Sequence, residues 1–383
     1  KRGGIKVSMT ASNLMGAIIL ADNQVNLKEL TLRRQLAAVP FGARYRLIDF
    51  PLSNLVNAGV RNVGVFVQEK YRSLMDHIGI GKEWDLNRQR DGLFILPPET
   101  YSDGAVPNAH SGDLALLRRH IDYFFRSKQE YVVVCCGSII MNIDLTQMLT
   151  KHLNSGADIT LLYRVEKDRT DHSQAVEVFT DENSRVTFLK VNPIVSSSSK
   201  ILLDTYILRR DLLIELVDAA VSSGGSDFVM DVLIRNLGDL KVYGHEFSGY
   251  ARKICSLETY FNASMELLTA EVYSELFFAN GPIFTKVKNE PPVVYLDGAT
   301  AKNSLIANGC RIEGTVENSI LFRGVKVEKG AHVKDSIIMQ KSVVGRGAFL
   351  ENVIVDKDSQ ISSHKRLVGD RTYPLVIGKG SAL

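Results

Sequence analysis

The chain contains 383 residues, of which 45% are hydrophobic and 23% are charged, so it has the composition of an ordinary globular protein with enough length for two domains. Its formal net charge of +3 is too small to indicate a nucleic-acid partner or binding to an anionic membrane surface. No apolar run approaches the roughly 18 residues that a membrane span requires, and no signal-peptide pattern is recognisable. Residues 1–8 precede the first Met and are left out of the fold prediction.

The chain has four cysteines, Cys135, Cys136, Cys255 and Cys310. Cys135 and Cys136 are poorly placed to form a disulfide with each other, and they end a run of valines that is typical of a buried strand. None of the four has the spacing of zinc ligands. We therefore expect free thiols with a structural role and a reducing, cytoplasmic location.

The first predicted strand, Leu14–Leu20, is a continuous apolar run. In an α/β protein that binds a nucleotide, the turn after this strand is rich in glycine, because backbone N–H groups must come close to phosphate oxygens. Here the turn, residues 21–26, reads Ala-Asp-Asn-Gln-Val-Asn and contains no glycine. The strand is typical of a nucleotide enzyme, whereas the turn is not.

Short apolar strands alternate with helical stretches along residues 13–250, which predicts an α/β domain with a mostly parallel sheet covered by helices. The further strand predictions are residues 63–67, 131–135, 159–163 and 201–208. The helix predictions are residues 51–58, 114–127, 145–155, 211–220 and 228–237. Residues 79–110 are predicted to be a long polar insertion that carries Trp84, and the four serines at 196–199 an exposed loop.

Residues 251–292 form a predicted helical linker, with one helix over residues 257–278. A short pattern then recurs: Asn-Ser-Leu-Ile, Asn-Ser-Ile-Leu, Asp-Ser-Ile-Ile and Glu-Asn-Val-Ile begin at residues 303, 318, 335 and 351, in steps of 15, 17 and 16 residues. Aliphatic residues recur about every six positions between these copies. This hexapeptide period predicts a parallel β-helix over residues 293–368, followed by a tail, residues 369–383.

A stack of narrow β-helix coils exposes sheet faces and edges that favour association with a second copy of the chain or with a partner. A self-contained rigid cap is the alternative, and the sequence leaves both open.

Several segments resemble the bacterial glucose-1-phosphate adenylyltransferases (ADP-glucose pyrophosphorylases). They are residues 27–31 (Leu-Lys-Glu-Leu-Thr), 41–50 (Phe-Gly-Ala-Arg-Tyr-Arg-Leu-Ile-Asp-Phe), 52–54 (Leu-Ser-Asn), 226–228 (Ser-Asp-Phe) and the β-helix repeats. The resemblance covers about residues 13–368, and residues 40–54 are its most specific part. It implies a nucleotidyltransferase-like, Rossmann-like domain followed by a left-handed parallel β-helix. It also implies a family reaction that joins glucose 1-phosphate to the AMP part of ATP, with release of pyrophosphate, for glycogen synthesis.

The positions that carry the chemistry in this family depart from its pattern. The family's glycine-rich turn and catalytic arginine are replaced by residues 21–26, where the side chains of Asp22 and Asn23 obstruct a triphosphate and the carboxylate of Asp22 repels it. A further family lysine falls at Leu36. Asp22, Asn23 and Leu36 are therefore degenerate catalytic positions.

The two aspartates with which the family holds Mg²⁺ fall at Ser138 and Lys253. Mg²⁺ prefers carboxylate oxygens, and an ammonium group at a ligand position excludes the ion electrostatically. We therefore expect no catalytic residue, no bound metal or other cofactor, and little or no catalysis by this chain alone.

The resemblance points to the regulatory, D-type subunit of this enzyme in some Gram-positive bacteria. It implies assembly with a catalytic subunit into a heterotetramer, or into a homo-oligomer when alone, and a change in the partner's turnover or effector response. One alternative is a divergent but active sugar-phosphate nucleotidyltransferase. Another is a hexapeptide acyltransferase with His332 or His364 as a base, although surface histidines on turns are the simpler interpretation.

A basic cluster is retained at Arg33, Arg34, Arg44 and Arg46, together with Lys357 in the β-helix. In the catalytic relatives, the corresponding cations lie where the two domains meet and bind anionic effectors such as sugar phosphates and adenylates. The planar fork of arginine is suited to phosphate. We expect an effector site for an anionic metabolite at these residues; solvated charges or ion pairs between domains are the alternative.

Overall fold

The computed structural model describes residues 13–21, 25, 27–98, 112–166, 175–193 and 198–383. These residues form two compact units. The first falls within Lys1–Asn23, Phe50–Lys253 and Phe278–Phe284, and the second within Gln24–Asp49, Ile254–Phe277 and Thr285–Leu383. No helix in the described ranges is both long and apolar enough to cross a membrane.

Short strands and helices succeed one another along both units. The strands are β1 (Leu14–Leu20), β2 (Pro40–Phe41), β3 (Tyr45–Arg46), β4 (Asn62–Val67), β5 (Gly92–Leu96), β6 (Tyr131–Cys136), β7 (Ile139–Met141), β8 (Ile159–Glu166), β9 (Val176–Thr180), β10 (Val186–Val191), β11 (Ser199–Arg209), β12 (Val242–Glu246), β13 (Ala251–Lys253), β14 (Val294–Tyr295), β15 (Thr300–Lys302), β16 (Leu305–Ile306), β17 (Arg311–Ile312), β18 (Thr315–Glu317), β19 (Ile320–Leu321), β20 (Lys326–Val327), β21 (His332–Lys334), β22 (Ile337–Ile338), β23 (Val343–Val344), β24 (Phe349–Glu351), β25 (Val353–Val355), β26 (Gln360–Ile361), β27 (Arg366–Val368) and β28 (Leu375–Ile377). The α-helices are Asp49–Asn57, Arg72–Ile78, Asp113–Arg119, Ile121–Arg126, Leu145–Ser155, Arg210–Ser222, Leu257–Glu266 and Ala270–Phe278. A π-helix spans Phe228–Ile234, and short 3-10 helices span Lys28–Leu30, Leu36–Ala38 and Lys82–Trp84.

The first unit is built on a nine-stranded sheet. The path β10-β9-β11-β6-β1-β4-β5 runs across it, and β8 joins β11 to β12. Strands β6, β1, β4 and β5 are parallel, whereas β11 is antiparallel to both β6 and β8. All seven residues of β1 are buried, as its continuous apolar run predicts. The predicted α/β fold is confirmed, and β11 adds antiparallel pairs beside the parallel centre.

Some predicted elements of the first unit differ from the observed ones. The helix predicted over residues 114–127 is two helices, because the backbone at His120, with φ −107° and ψ 28°, leaves the helical region. The predicted polar insertion contains β5, which pairs with β4, and Trp84 in it is buried at 1% exposure. Of the predicted serine loop, Ser199 is buried at the start of β11, while residues 194–197 lie outside the described residues.

The helix predicted over residues 257–278 is also two helices. Hydrogen bonds from Leu268 N–H to the Met265 carbonyl and from Thr269 N–H to the Glu266 carbonyl tighten the last turn of the first helix. The second helix, Ala270–Phe278, then begins, and Tyr273 N–H bonds back to the Thr269 carbonyl.

The β-helix of the second unit consists of three parallel sheets with five strands each. Their orders are β14-β17-β20-β23-β26, β15-β18-β21-β24-β27 and β16-β19-β22-β25-β28. Each coil therefore contributes one strand to each sheet, as the hexapeptide period predicts, and the aliphatic residues point into a common core. This arrangement confirms the predicted β-helix and is consistent with its left-handed winding.

The recurring Asn/Asp-Ser pair has a geometric reason. Asn303, Asn318 and Asp335 each have φ +44°, a left-handed conformation that these two residue types tolerate better than most others. The serine that follows each of them bonds to the chain locally and to the next coil: Ser319 Oγ donates to the Glu317 carbonyl at 2.6 Å and accepts the Ser336 N–H at 3.1 Å. The repeated pair therefore forms a corner and a ladder between coils.

The fourth copy of the repeat is displaced by one residue from its predicted alignment. Ile337 pairs with Ile354, so Asn352, at φ +52°, occupies the corner rather than Glu351. Val353 then stands where the earlier copies have serine, and its N–H donates to Ser336 Oγ at 3.1 Å.

The tail continues the β-helix. Strand β28 pairs in parallel with β25, and Ser362 N–H donates to the Leu383 carbonyl at 2.7 Å. In the same unit, the β2–β3 hairpin is attached to helix Leu257–Glu266, because Tyr260 Oη donates to the Pro40 carbonyl at 2.6 Å.

Candidate functional site

The end of β6 brings together Ser138 and Lys253, the two positions at which the resemblance places the family's metal ligands. After β6 the chain turns through Ser138 into β7, and β7 pairs antiparallel with β13, which sets Lys253 opposite Ile139. Ser138 is 1% exposed, and its Oγ donates to Cys136 Sγ at 3.5 Å. The proximity of Ser138 and Lys253 therefore has a simple origin in this two-stranded ribbon.

Lys253 forms an ion pair with an aspartate of the central sheet. Its Nζ lies 2.6 Å from Asp204 Oδ2, and both side chains are less than a third exposed. Asp204 has φ +35° and lies in β11 where the pairing register with β8 shifts between Leu202 and Tyr206. This bulge changes the course of the strand at the residue that meets Lys253.

Three more carboxylates of the first unit are engaged by backbone N–H groups. Asp113 Oδ1 accepts hydrogen bonds from the N–H groups of Leu114 (2.8 Å) and Phe228 (2.9 Å). Asp227 Oδ1 accepts from Met230 N–H at 2.7 Å and caps the π-helix. Asp231 Oδ2 accepts from the N–H groups of Ser226 and Asp227. These acids therefore stabilise the local backbone.

The pKa values of two of these carboxyl groups move in opposite directions. Burial, followed by the charge of Asp227, raises the pKa of Asp113 to about 7, although its two backbone hydrogen bonds act in the other direction. The hydrogen bond from the Asp227 N–H, followed by that from Ser226, lowers the pKa of Asp231. At mildly acidic pH, Asp113 is therefore largely protonated, whereas Asp231 is ionised.

This set of side chains does not fit Mg²⁺. The hydroxyl of Ser138 donates its hydrogen bond to the sulfur of Cys136, and the ammonium group of Lys253 forms an ion pair with the carboxylate of Asp204. Within the described ranges no group of three or more His, Cys, Asp or Glu side chains is arranged to hold a metal ion. A hard, hydrated cation needs oxygen ligands that are not already neutralised by a lysine.

Of the three other degenerate catalytic positions, one lies within the described residues. Leu36 lies in the second unit, in the 3-10 helix Leu36–Ala38, and is 2% exposed. Its side chain is therefore committed to packing. Asp22 and Asn23 lie outside the described residues.

Three of the five predicted effector residues lie together in the second unit. Arg34 Nη2 is 2.5 Å from Asp356 Oδ2, and both side chains are buried. Burial lowers the pKa of Lys357 to about 7, with further contributions from the charges of Arg46 and Arg34. We call Arg34, Arg46 and Lys357 the Lys357 cluster. The positive charges of the two arginines act on Lys357, while the carboxylate of Asp356 neutralises the charge of Arg34.

The other two predicted effector residues differ from Lys357 in their environments. Arg33 is exposed beside the buried Arg34. Arg44 is also exposed, and its guanidinium carbon lies 5.6 Å from the centre of the Tyr45 ring. Arg44 lines a pocket with Lys288 and Arg323, neither of which was singled out in the sequence.

The histidines of the acyltransferase alternative have local partners. His332 Nε2 lies 3.4 Å from Glu317 Oε2, and its ring meets Phe349 edge to face. His364 has φ +60° at a coil corner and packs against Gly347. Both are placed as corner and surface residues of the β-helix.

The four cysteines are free thiols in the structure. Burial raises the pKa of the Cys135 thiol far above its usual range and that of Cys310 to about 11. Both are therefore uncharged at neutral pH and serve as small apolar residues.

Comparisons with known proteins agree with this architecture. The family model described as "Nucleotidyl transferase" matches residues 17–270, and the model "GlmU-like, C-terminal hexapeptide" matches residues 295–372. The chain is 39% identical to the glycogen biosynthesis protein GlgD of Bacillus subtilis (strain 168), covering 97% of each chain. It is 41% identical to GlgD of Geobacillus stearothermophilus over 84% of this chain and 83% of that one.

The similar proteins also include chains that are named as an enzyme. The glucose-1-phosphate adenylyltransferase of Bacillus mycoides (strain KBAB4) is 33% identical over 90% of this chain and 92% of its own. Its match and those of the GlgD proteins extend across both units. The chain therefore belongs to the nucleotidyl transferase family, among the glycogen biosynthesis proteins related to glucose-1-phosphate adenylyltransferase.

Proposed function

We propose that this chain is a regulatory subunit of glucose-1-phosphate adenylyltransferase that is non-catalytic or only weakly catalytic. It would support the synthesis of ADP-glucose from ATP and glucose 1-phosphate in glycogen biosynthesis. The observation that carries the proposal is the ion pair between Lys253 Nζ and Asp204 Oδ2 at 2.6 Å. A lysine ammonium stands at one of the two positions where the resemblance places the aspartates that hold Mg²⁺ in the catalytic family.

The electrostatics of that pair support a loss of catalysis. Divalent metal ions neutralise the charge that develops on a transferring phosphoryl group, and they do so through open coordination positions. A lysine can supply one positive charge but no coordination position, and Asp204 already neutralises it. With Ser138 in place of the second aspartate, phosphoryl transfer would lack both metal anchors.

The partner in this proposal is a catalytic subunit of glucose-1-phosphate adenylyltransferase, in a heterotetramer. The Bacillus mycoides relative that bears this enzyme name matches nearly the full length of the chain, which supports a similar architecture in both partners. Pseudo-symmetric assembly of similar chains is a common route by which one subunit biases the conformational equilibrium of another. A cytoplasmic location follows from the substrates of that reaction and belongs to the same proposal.

The effector site in this proposal is the Lys357 cluster, and its ligand is an anionic metabolite. Arg34 Nη1 is buried without a hydrogen-bond partner among the described residues, although Nη2 of the same guanidinium is paired with Asp356. An unsatisfied buried donor beside a partly desolvated lysine supports a site that an anion completes. Lys379 contributes further positive charge at Lys357.

The proposal is tested by reconstitution with the catalytic subunit from the same cell. We expect the two chains to co-elute as one species larger than either chain alone, and pyrophosphate release per catalytic chain to change on assembly. Lys357→Met should alter the response to anionic metabolites while leaving co-elution unchanged, and Lys365→Met, at an exposed lysine of the same β-helix, should alter neither. Failure to co-elute, or an unchanged turnover in the mixture, would overturn the proposed role.

A further inference from the structure

One sheet of the β-helix, β15-β18-β21-β24-β27, carries a column of outward side chains whose charge alternates from coil to coil. Strand pairing aligns the third residue of each strand, so the first four coils present Lys302, Glu317, Lys334 and Glu351. The fifth coil ends the alternation with Val368. Because neighbouring strands lie about 4.8 Å apart, the charges follow one another at that spacing.

The chain itself satisfies these charges only in part. Lys334 Nζ lies 2.5 Å from Glu351 Oε1, and His332 Nε2 lies 3.4 Å from Glu317 Oε2. The side chains of Glu317 and Lys334 are nevertheless 36% and 38% exposed. Lys302 is exposed and forms no ion pair with any residue that the structure describes. The column is therefore open to charges from outside the chain.

The order of the charges is complementary to itself about the midpoint between β18 and β21. A two-fold axis parallel to the strands at this midpoint reverses the order of the coils and keeps the direction of the strands. It sets Lys302 of one chain opposite Glu351 of the other, and Glu317 opposite Lys334. By symmetry each of these pairs occurs twice, so the whole charged column is matched.

Other arrangements of two such faces match the charges less well. An axis that coincides with β18 brings Lys302 opposite Lys334, and like charges that face each other across two strands are destabilising. An axis along the β-helix sets the charged column against the second outward column of the sheet, which begins with Thr300 and Thr315 and contains no carboxylate. The alternation therefore favours one axis and one register.

The second outward column is compatible with the same axis. It places Thr315 of one chain opposite His332 of the other, and Thr300 opposite the ring of Phe349. Arg366, in the fifth coil, lies beyond the matched coils, and its guanidinium carbon is 4.5 Å from the centre of the Phe349 ring in its own chain. No two like charges of the sheet face each other in this arrangement.

We propose that this sheet face is a self-association surface, on which two copies of this chain pack their β-helices face to face with their coils in opposite order. The occupant is a second copy because the column is matched by its own sequence in reverse. Packed sheets lie about 10 Å apart, a distance that a lysine and a glutamate side chain span together.

This contact goes beyond the proposed function, because it joins two copies of this chain rather than this chain to a catalytic subunit. Its surface is small and mostly polar, so the association should be weak. It should also weaken when the NaCl concentration is raised from about 0.05 M to about 0.5 M, because salt screens exposed charges.

The test is sedimentation velocity of the purified full chain at increasing protein concentration. We expect Lys302→Glu and Glu351→Lys each to weaken self-association about tenfold or more, because two-fold symmetry makes each substitution create two like-charge contacts. Lys326→Glu is the matched control, since it makes the same charge change at an exposed lysine of β20 in a different sheet. It should associate as the wild type does, and circular dichroism verifies that all three variants keep the fold.

Mixing the two variants separates a contact between chains from an effect within one chain. A chain with Lys302→Glu and a chain with Glu351→Lys pair opposite charges at both positions, so the mixture should recover association close to that of the wild type. A substitution that only disturbed its own chain would not be rescued by mixing.

Wild-type association in both single variants would overturn the proposal, and so would a mixture that recovers nothing. A wild-type chain that stays monomeric at about 0.1 mM in low salt would overturn it as well. None of these measurements includes the catalytic subunit, so failure here is distinguishable from failure of the proposed function.

Discussion

Lys253 and Asp204 are 49 residues apart in the sequence, yet Nζ of the lysine lies 2.6 Å from Oδ2 of the aspartate. The contact joins the β7–β13 ribbon to the bulge of β11 in the central sheet. The carboxylate of Asp204 is thereby neutralised from within the chain. Unlike a metal ion, such a pair offers no open coordination position to a substrate.

A double-mutant cycle should measure this ion pair directly. We expect Lys253→Met and Asp204→Asn each to reduce the free energy of unfolding of the first unit by about 1–3 kcal/mol, because each leaves the remaining charge partly buried without its partner. Asparagine is the suitable replacement at 204 because it tolerates φ +35°. The double variant should lose about 1 kcal/mol less than the sum of the two single losses.

Trp84 provides the probe for that measurement. It is the only tryptophan of the chain, it is 1% exposed, and it lies in the first unit, so its fluorescence reports denaturant unfolding there. Lys128→Met, at an exposed lysine of the same unit, is the control and should change stability little. Strictly additive single effects would mean that the contact has no energetic role.

Asp113 should make the stability of the first unit depend on pH. Its folded pKa of about 7 lies above the usual value near 3.9, so the folded state holds a proton that unfolding releases. Its contribution is fully present below about pH 4 and is lost as the pH rises to about 7, by up to about 1.4 kcal/mol per pH unit. Asp113→Asn keeps an oxygen that accepts both backbone N–H groups and removes this dependence.

The comparison of wild type with Asp113→Asn isolates the effect from other titrating groups. His152 and His245, whose pKa values burial lowers to about 4, make stability rise with pH over part of the same range in both proteins. The variant's advantage should therefore grow between about pH 4 and 7 and remain constant above. A difference that does not vary with pH would contradict the raised pKa of Asp113.

Lys357 should make the stability of the second unit rise with pH, whereas Asp113 makes the stability of the first unit fall, and it should do so over a higher pH range. Burial, Arg46 and Arg34 lower its pKa to about 7, so the folded state has lost a proton that the unfolded state keeps up to about pH 10.4. Lys357→Met should stabilise the second unit below about pH 7, and this advantage should shrink as the pH rises to about 10. Hydrogen exchange of the amides in β25 and the strands beside it measures this stability. If Lys365→Met were stabilised over the wild type with the same dependence on pH, the lowered pKa of Lys357 would not be the cause.

The serine ladder should contribute measurably to the β-helix. Ser336 is fully buried, and its Oγ donates to the Lys334 carbonyl at 2.6 Å and accepts the Val353 N–H. Ser336→Ala should cost about 1–3 kcal/mol, because it leaves two buried backbone groups unpaired. Ser304→Ala, in the less buried first coil where water can replace the hydroxyl, should cost less. Equal losses in thermal unfolding would refute the importance of burial in this ladder.

The β-helix was the most predictable part of the fold, because its signals are local. A corner at φ +44° favours Asn or Asp in each coil, and the following serine must reach the next coil. Both requirements repeat at nearly constant spacing, so they are visible in a single sequence. The displaced fourth copy was misaligned because Val353 occupies the serine position there and only strand pairing reveals the register.

The candidate site was predicted only in part, because its contacts are long-range. Ser138 and Lys253 were found through resemblance, but their neighbour Asp204 was not. The available signal was a lone carboxylate within the apolar run of residues 201–208, which a buried strand rarely carries without a partner. Likewise, Arg34 was singled out, but its partner Asp356, 322 residues away, was not, and no periodicity joins two such positions.

The most direct test of the central claim is the formation of ADP-glucose by the purified chain alone, with ATP, glucose 1-phosphate and Mg²⁺. If the Lys253–Asp204 ion pair has replaced the metal site, product formation stays at or slightly above the level of the buffer blank and is unchanged in Lys253→Met. Robust turnover by the wild-type chain would contradict the claim and identify a divergent, active nucleotidyltransferase, and its loss in Lys253→Met would show that the lysine takes part.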